Sequence, residues 1–278
     1  MRYFKGKIPV LFRGDSTLLD KISFWKGIAR KFILRLIYKN IDIALYAGKA
    51  NREYFLEMGV KKSKLVFMPH AIENERFATN AASIEQGRKL RASLQISETD
   101  LVFLFAGKLQ SKKQPLELAD AFISINNKSA HLIFVGSGEL EPQLRKRCSN
   151  QSNIHFLGFV NQEQMPVVYE CADVFVLPSK GPNETWGLSI NEAMAAGKAV
   201  VASNACGATQ DLIDHGINGF TFEKADMVAL KKYLTFFADR KEAAKEMGCR
   251  SKEIIQSFSF SNNAAVLENI DIKFTIRK

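Results

Sequence analysis

Three features of the sequence predict an α/β protein built on parallel sheets. Short apolar runs alternate with helical patterns along most of the chain, those runs end in glycine or polar turns, and residues 173–211 hold one complete strand-helix-strand unit. The 278 residues suffice for one large or two modest cores.

The first series begins with KIPVLFR, residues 7–13, a short strand that Gly14, Asp15 and Ser16 turn toward a helix. Leu18 to Asn40 is amphipathic at helical spacing: Trp25, Ile28, Ala29, Phe32, Ile33 and Leu36 share one side, while Lys26, Arg30 and Lys31 face away. Two readings stay open for it. The apolar side packs on the sheet and the basic side is solvated, or the basic, aromatic-bearing surface attracts anionic lipid. IDIALYAG, residues 41–48, is a second strand, residues 51–58 a helix, and KLVFMPHA, residues 64–71, a third strand; residues 78–99 read as a polar, helix-prone connection.

The second series opens on LVFLFAG, a strand ending in Gly107, and KLQSKKQP leads from it into a helix over 115–126. HLIFVGSGEL, residues 131–140, is a strand running through glycines to a helix start, although GSG alone is a weak dinucleotide signal with no acidic residue at the required offset. IHFLGFV, residues 154–160, is another strand, and a helix from Gln162 to Cys171 follows. Val174 to Leu177 is a strand ending at Pro178 and Ser179; a polar loop of Gly181, Pro182 and Asn183 precedes a helix that starts near Trp186 and ends at Gly197, and Ala199 to Ala202 is the next strand. HGINGFTF, residues 215–222, and helices from Ala225 and Lys241 complete the series, leaving residues 258–278 as a tail.

Composition narrows the function. Apolar residues make up 46% and charged residues 24%, and no run of about 18 apolar residues could span a bilayer. The opening MRYFKGKIPVLFRGDS has too short an apolar part for a signal peptide and no small-residue cleavage site, so a cytoplasmic location is expected, peripheral at the inner membrane surface if the 18–40 helix meets lipid. Cys148, Cys171, Cys206 and Cys249 form no CxxC pair and read as reduced thiols. The histidines His70, His131, His155 and His215 lack partners at ligand spacing and read as structural or solvated. A net charge of +10 favours polyanionic partners: nucleotide diphosphates, anionic lipid headgroups or nucleic acid. No zinc-finger spacing, RNP-type aromatic sequence or basic low-complexity arm is present, which sets nucleic acid aside.

Chemistry concentrates between residues 173 and 211. Glu184 stands just before the helix start and Glu192 eight residues on; were both helical, they would lie about 12 Å apart along the axis and about 80° apart around it, within reach of one long ligand. Gly187 permits close backbone approach, and free N–H groups at the helix start favour a diphosphate. This pair inside NETWGLSINEAMAAG resembles the paired-glutamate motif of the retaining GT-B glycosyltransferases of family 4 (glycosyltransferase group 1).

The resemblance covers residues 101–257 closely and 8–77 loosely. It implies a GT-B-like fold of two Rossmann-like parallel-sheet domains, the first one truncated because the family has a longer amino-terminal half with a glycine-rich loop. The expected domains are residues 1–90 on the acceptor side, 91–257 for the nucleotide sugar, and a 258–278 tail crossing back to the first. Lys108 and Lys113 resemble the basic pair that holds the donor diphosphate, with lysine at 108 where arginine is commoner. Phe159 and Val160 lie where the base is cradled, and Gly207 and Asp211 echo a turn whose second glycine and proline are here Ala208 and Gln210.

The implied activity moves a sugar from a nucleotide-diphosphate donor to a hydroxyl of a glycan or lipid-linked acceptor with retention, using no cofactor beyond the donor and no metal ligand visible in the sequence. Lys113 and Glu184 carry the catalytic roles. Substrate contacts fall to Lys108, Lys113, Phe159, Val160, Glu184, Trp186, Gly187, Leu188 and Glu192. The alternatives are a donor-binding fragment without turnover and a nucleotide-sugar epimerase of the same fold.

Overall fold

The computed structural model describes residue 3 and residues 8–19, 23–181 and 184–275. Lys7 of the expected first strand, residues 20–22 of the expected first helix, Pro182 and Asn183 of the polar loop and residues 276–278 lie outside the described residues. The chain divides into two compact units, residues 1–72 with 257–278 and residues 73–256.

The first unit contains β1 (Leu11–Gly14), α1 (Phe24–Tyr38), β2 (Ile43–Tyr46), α2 (Lys49–Glu57) and β3 (Leu65–Phe67), its strands parallel in the order β1-β2-β3. Tyr38, Ala44, Tyr54 and Phe55 form its core, and buried Asn51 ties β1's following turn to β2's by accepting from the Ala47 amide at 2.9 Å and donating to the Ser16 carbonyl at 2.7 Å.

Helix α1 is turned about its axis relative to the packed reading. Trp25, Ile28, Ala29, Phe32, Ile33 and Leu36 are all exposed, and it is Gly27, Lys31, Leu34 and Tyr38 that face inward. The cause lies on α2 and the turn after it. Leu34 and Tyr38 enter the core with Phe55 of α2, and Lys31 beside them pairs with Glu57, while Arg30 and Arg35 stay exposed near Tyr54 and Gly59.

The second unit holds α3 (Asn74–Phe77), α4 (Ala81–Ser93), β4 (Leu101–Ala106), α5 (Pro115–Ile125), β5 (Ala130–Val135), α6 (Glu141–Arg147), β6 (Ile154–Gly158) and α7 (Met165–Cys171). It continues through β7 (Val174–Leu177), α8 (Leu188–Ala195), β8 (Ala199–Ser203), α9 (Thr209–Leu212), β9 (Gly219–Phe222), α10 (Met227–Asp239) and α11 (Lys241–Ile255). All its strands run parallel, in the order β6-β5-β4-β7-β8-β9. Every residue of β4, β5, β7 and β8 is buried, which is why these strands read as apolar runs, interrupted by His131 in β5 and closed by Ser203 in β8: helices cover both faces. Helix α4, capped by Asn80 and Ser83, packs on α7 through Gly87, and Arg91 bonds the Cys171 carbonyl at 2.9 Å and Asp173 at 2.8 Å. The units therefore part after Ile72 rather than at residue 90.

The chain then returns to the first unit as α12 (Phe260–Thr275), so the tail is a helix. Ile270 packs with Leu45 and Met68, and Asn263 donates to the Pro69 carbonyl at 3.0 Å. No helix among the described residues is long and apolar enough to cross a membrane.

Two histidines without partners at sequence spacing meet across neighbouring strands. His131 of β5 and His155 of β6 stack, with Nδ1 to Nε2 at 3.0 Å, and Asp100 lies 3.3 Å from the other His131 nitrogen. Burial, then the neighbouring His131, pushes His155 down from 6.5 to about 4. Between those values the unfolded chain holds a proton that the fold does not, so stability falls as the pH drops from about 6.5 to about 4. Thermal melts at several pH values are expected to show this fall, and His155→Asn is expected to flatten it; an unchanged slope would refute the assignment.

Candidate active site

Strand β4 lies between β5 and β7, so the winding reverses between β4 and β7, and the loops leaving their carboxyl ends part to open a crevice. Both loops carry candidate residues. After Gly107 the first presents Lys108, exposed to solvent, and passes through one tight turn over Ser111–Lys113. Gln114, left-handed at φ +54°, and Pro115 at the head of α5 then stop that turn and start the helix.

The second loop follows β7. Its Glu184 carboxylate accepts from the Lys113 ammonium at 2.6 Å and from the hydroxyl of fully buried Ser179 at 3.2 Å. The Lys113 and Glu184 side chains are only 13% and 9% exposed, so this ion pair is largely shielded from water.

Helix α8 begins at Leu188, behind Gly187 at φ +99°, so Glu184 belongs to the loop and not to the helix. The 12 Å separation expected of two helical glutamates therefore does not apply. Glu192 lies about 6 Å along α8 from Leu188, facing α7. There the Tyr169 hydroxyl donates to its Oε2 at 2.8 Å, and Gln162 lies near the same carboxylate. Burial raises the Glu192 acid above its ordinary range, opposed by the bond from Tyr169, by Gln162 nearby and by the charge of Arg76.

The remaining candidates divide. Phe159, beyond the end of β6, is 80% exposed, Leu188 is 46% exposed, and Val160 is half-buried. Trp186 is 5% exposed and its indole donates to Asn191 Oδ1 at 2.8 Å. Its ring locks the loop to α8, leaving the backbone as the part of Trp186 a ligand could meet.

Two glycine turns hold these loops. A Cβ at Gly136 would stand 2.1 Å from the Gly107 carbonyl oxygen, and one at Gly138 2.4 Å from that of Leu109, so GSG serves close backbone packing beneath the lysine loop. Gly207 and Ala208 donate to the carbonyls of Glu184 and Trp186 at 3.2 and 3.0 Å, which pins the glutamate loop to the turn after β8. Sequence spacing singled out neither Ser179 nor Tyr169. Ser179 follows a strand as many turn serines do, and Tyr169 reaches Glu192 only because α7 and α8 lie side by side.

A cleft of about 660 Å³ opens at the opposite edge of this sheet, lined by Arg88, Arg91, Asp173, Lys198 and Lys245 among others. Its charges largely satisfy one another: Arg91 pairs with Asp173 at 2.8 Å and Lys198 lies 3.9 Å from Glu170. The strand carboxyl ends, where the chemistry-bearing loops converge, are the better candidate.

Comparison with known proteins bears on this site. The sequence model of the family glycosyl transferases group 1 matches residues 86–254, more than half of the chain. An uncharacterized glycosyltransferase of Methanocaldococcus jannaschii is 30% identical over 218 residues, covering 77% of this chain and 52% of that protein. The UDP-Gal:alpha-D-GlcNAc-diphosphoundecaprenol alpha-1,3-galactosyltransferase of Escherichia coli is 28% identical over 98% of this chain and 73% of its own length. The chain thus spans about half to three-quarters of these relatives. The crystal structure of Anabaena HepE in complex with UDP superposes with a TM-score of 0.78 at 20% identity, covering 96% of this chain and 72% of that one. Such likeness establishes the expected GT-B fold of two Rossmann-like parallel-sheet domains.

Proposed function

The chain belongs to the glycosyl transferases of group 1, and from that membership we propose that it moves a sugar from a nucleotide-diphosphate donor to a hydroxyl acceptor with retention of configuration, as an enzyme of family 4. The observation that carries this reading is the shielded Lys113–Glu184 pair in the crevice between the loops after β4 and β7.

Transfer breaks the bond from the anomeric carbon to the diphosphate oxygen, so positive charge grows on the sugar and negative charge on the departing diphosphate. A cation beside a carboxylate suits both halves. Lys113, Lys108 and the free N–H groups at the α8 start stabilise the diphosphate, and Glu184 stabilises the sugar cation. The acceptor oxygen forms the new bond to the anomeric carbon and passes its proton to the departing diphosphate oxygen. Glu192 accepts from ribose hydroxyls, while Phe159 and Val160 flank the base. Named relatives and solved neighbours use or hold UDP and its sugars, which supports a nucleotide sugar as donor.

A lipid-linked acceptor is the reading we favour. The Escherichia coli relative is named for a diphosphoundecaprenol acceptor, and here α1 presents Phe24, Trp25 and Phe32 at 73%, 76% and 66% exposure. Those rings suit insertion at the interface of an anionic membrane. Co-sedimentation should show more protein on anionic than on neutral vesicles, and the pair Trp25→Ser with Phe32→Ser should lose most of it. Equal binding to both vesicle types, or no loss in the variant, would remove the membrane reading.

The enzymatic reading is tested by incubating the chain with UDP-, GDP- and ADP-sugars and a polyprenyl-diphosphate sugar. Free nucleoside diphosphate and a lengthened acceptor whose new glycosidic bond keeps the donor's anomeric configuration are expected. Saturable nucleotide binding without release would leave a donor-binding fragment, and an altered sugar still attached to its nucleotide would leave an epimerase.

A further inference from the structure

We propose that Tyr169 is a positioning residue for donor recognition: its buried hydroxyl fixes the Glu192 carboxylate in the orientation that distinguishes a ribose from a 2′-deoxyribose. The inference deepens the reading of Glu192 as the ribose acceptor and rests on it.

Tyr169 is fully buried on α7, where Phe77 meets its ring edge-on at 5.8 Å and Phe175 lies 6.0 Å away, so the ring has no freedom to swing. Its hydroxyl is correspondingly fixed, donating to Glu192 Oε2 at 2.8 Å and lying 3.3 Å from the Ser189 carbonyl. A glutamate has three rotatable bonds, and one short bond from an immobile donor removes most of that freedom. Gln162 lies near the same carboxylate and favours its charged form. Apolar burial around Tyr169 serves a second purpose here. It keeps the phenol protonated by pushing its ionisation well above the ordinary range, so the hydroxyl remains a donor at working pH.

Arg76 of α3 is the cation whose charge acts on Glu192, Tyr169 is its hydrogen-bond donor, and Gln162 lies near it. Removing the Tyr169 hydroxyl takes away one of the influences holding the Glu192 acid down, so its titration should move upward and free carboxylate should be lost earlier as pH falls.

The test is equilibrium titration of the full chain and of Tyr169→Phe and Glu192→Gln with UDP, GDP and ADP and with their 2′-deoxy counterparts. Phenylalanine keeps the ring packing, so thermal melting should confirm that Tyr169→Phe remains folded. The wild type is expected to prefer the ribonucleotide it binds best by about tenfold over the 2′-deoxy form. In Tyr169→Phe that ratio should collapse toward one and the acidic limb of the affinity profile should move to higher pH. A role confined to packing would weaken both nucleotides equally and leave the ratio and the limb in place, and that result overturns the inference. If Glu192→Gln loses discrimination while Tyr169→Phe retains it, the positioning role alone fails. Should neither variant alter the ratio, the assignment of Glu192 to the ribose falls with it.

Discussion

Lys113→Ala is expected to reduce sugar transfer by about a hundredfold or more and to lower stability by about 3 kcal/mol. The two losses have different origins. On the proposed mechanism, activity falls because a cation that stabilises the departing diphosphate is gone, an interaction strongest in the transition state. Stability falls because Glu184, only 9% exposed, is left as a shielded carboxylate that keeps the Ser179 hydroxyl but has lost its neutralising cation. A second substitution separates them. Adding Glu184→Gln removes the stranded charge, so chemical denaturation of Lys113→Ala with Glu184→Gln should recover most of the stability while transfer stays at background. Recovery of both, or of neither, would show that the pair does not act as described.

Gly207→Ala is expected to cost about 3 kcal/mol and to abolish donor binding. A Cβ there would stand 1.9 Å from the Thr185 carbonyl oxygen and 2.9 Å from its carbon, so backbone and not a flexible side chain must move. The displaced segment is the one whose carbonyls at Glu184 and Trp186 accept from the Gly207 and Ala208 amides. Glu184 would be carried out of reach of Lys113. Gly158→Ala provides the contrast. At φ +67° it is strained, but nothing lies within 4 Å of the added carbon, so it should cost about 1 kcal/mol and leave Lys113 and Glu184 in place. Denaturation midpoints and nucleotide titrations on both variants check the difference.

Much of the second unit was legible in its sequence for a physical reason. Strands buried on both faces are largely apolar, so β4, β5, β7 and β8 stand out from the polar turns between them. Lys113 and Glu184 stand out through their resemblance to the family's basic pair and paired glutamates, and the structure adds that they touch. Other features depend on neighbours distant in the chain. The period of α1 reveals which residues share a side, but which side packs depends on the apolar residues, such as Phe55 of α2, that Leu34 and Tyr38 meet. Trp186 was named for a ligand, yet its indole is taken up by Asn191. The His131–His155 pair and the bond from Tyr169 to Glu192 each join neighbouring strands or helices, and spacing along one chain carries no record of such meetings.

The central claim concerns where the donor sits, and a crystal of the chain grown with a nucleoside diphosphate tests it most directly. The diphosphate is predicted against Lys108, Lys113 and the α8 start, with the ribose at Glu192. Density for it at the opposite edge of the sheet, among Arg88, Lys198 and Lys245, would contradict the account.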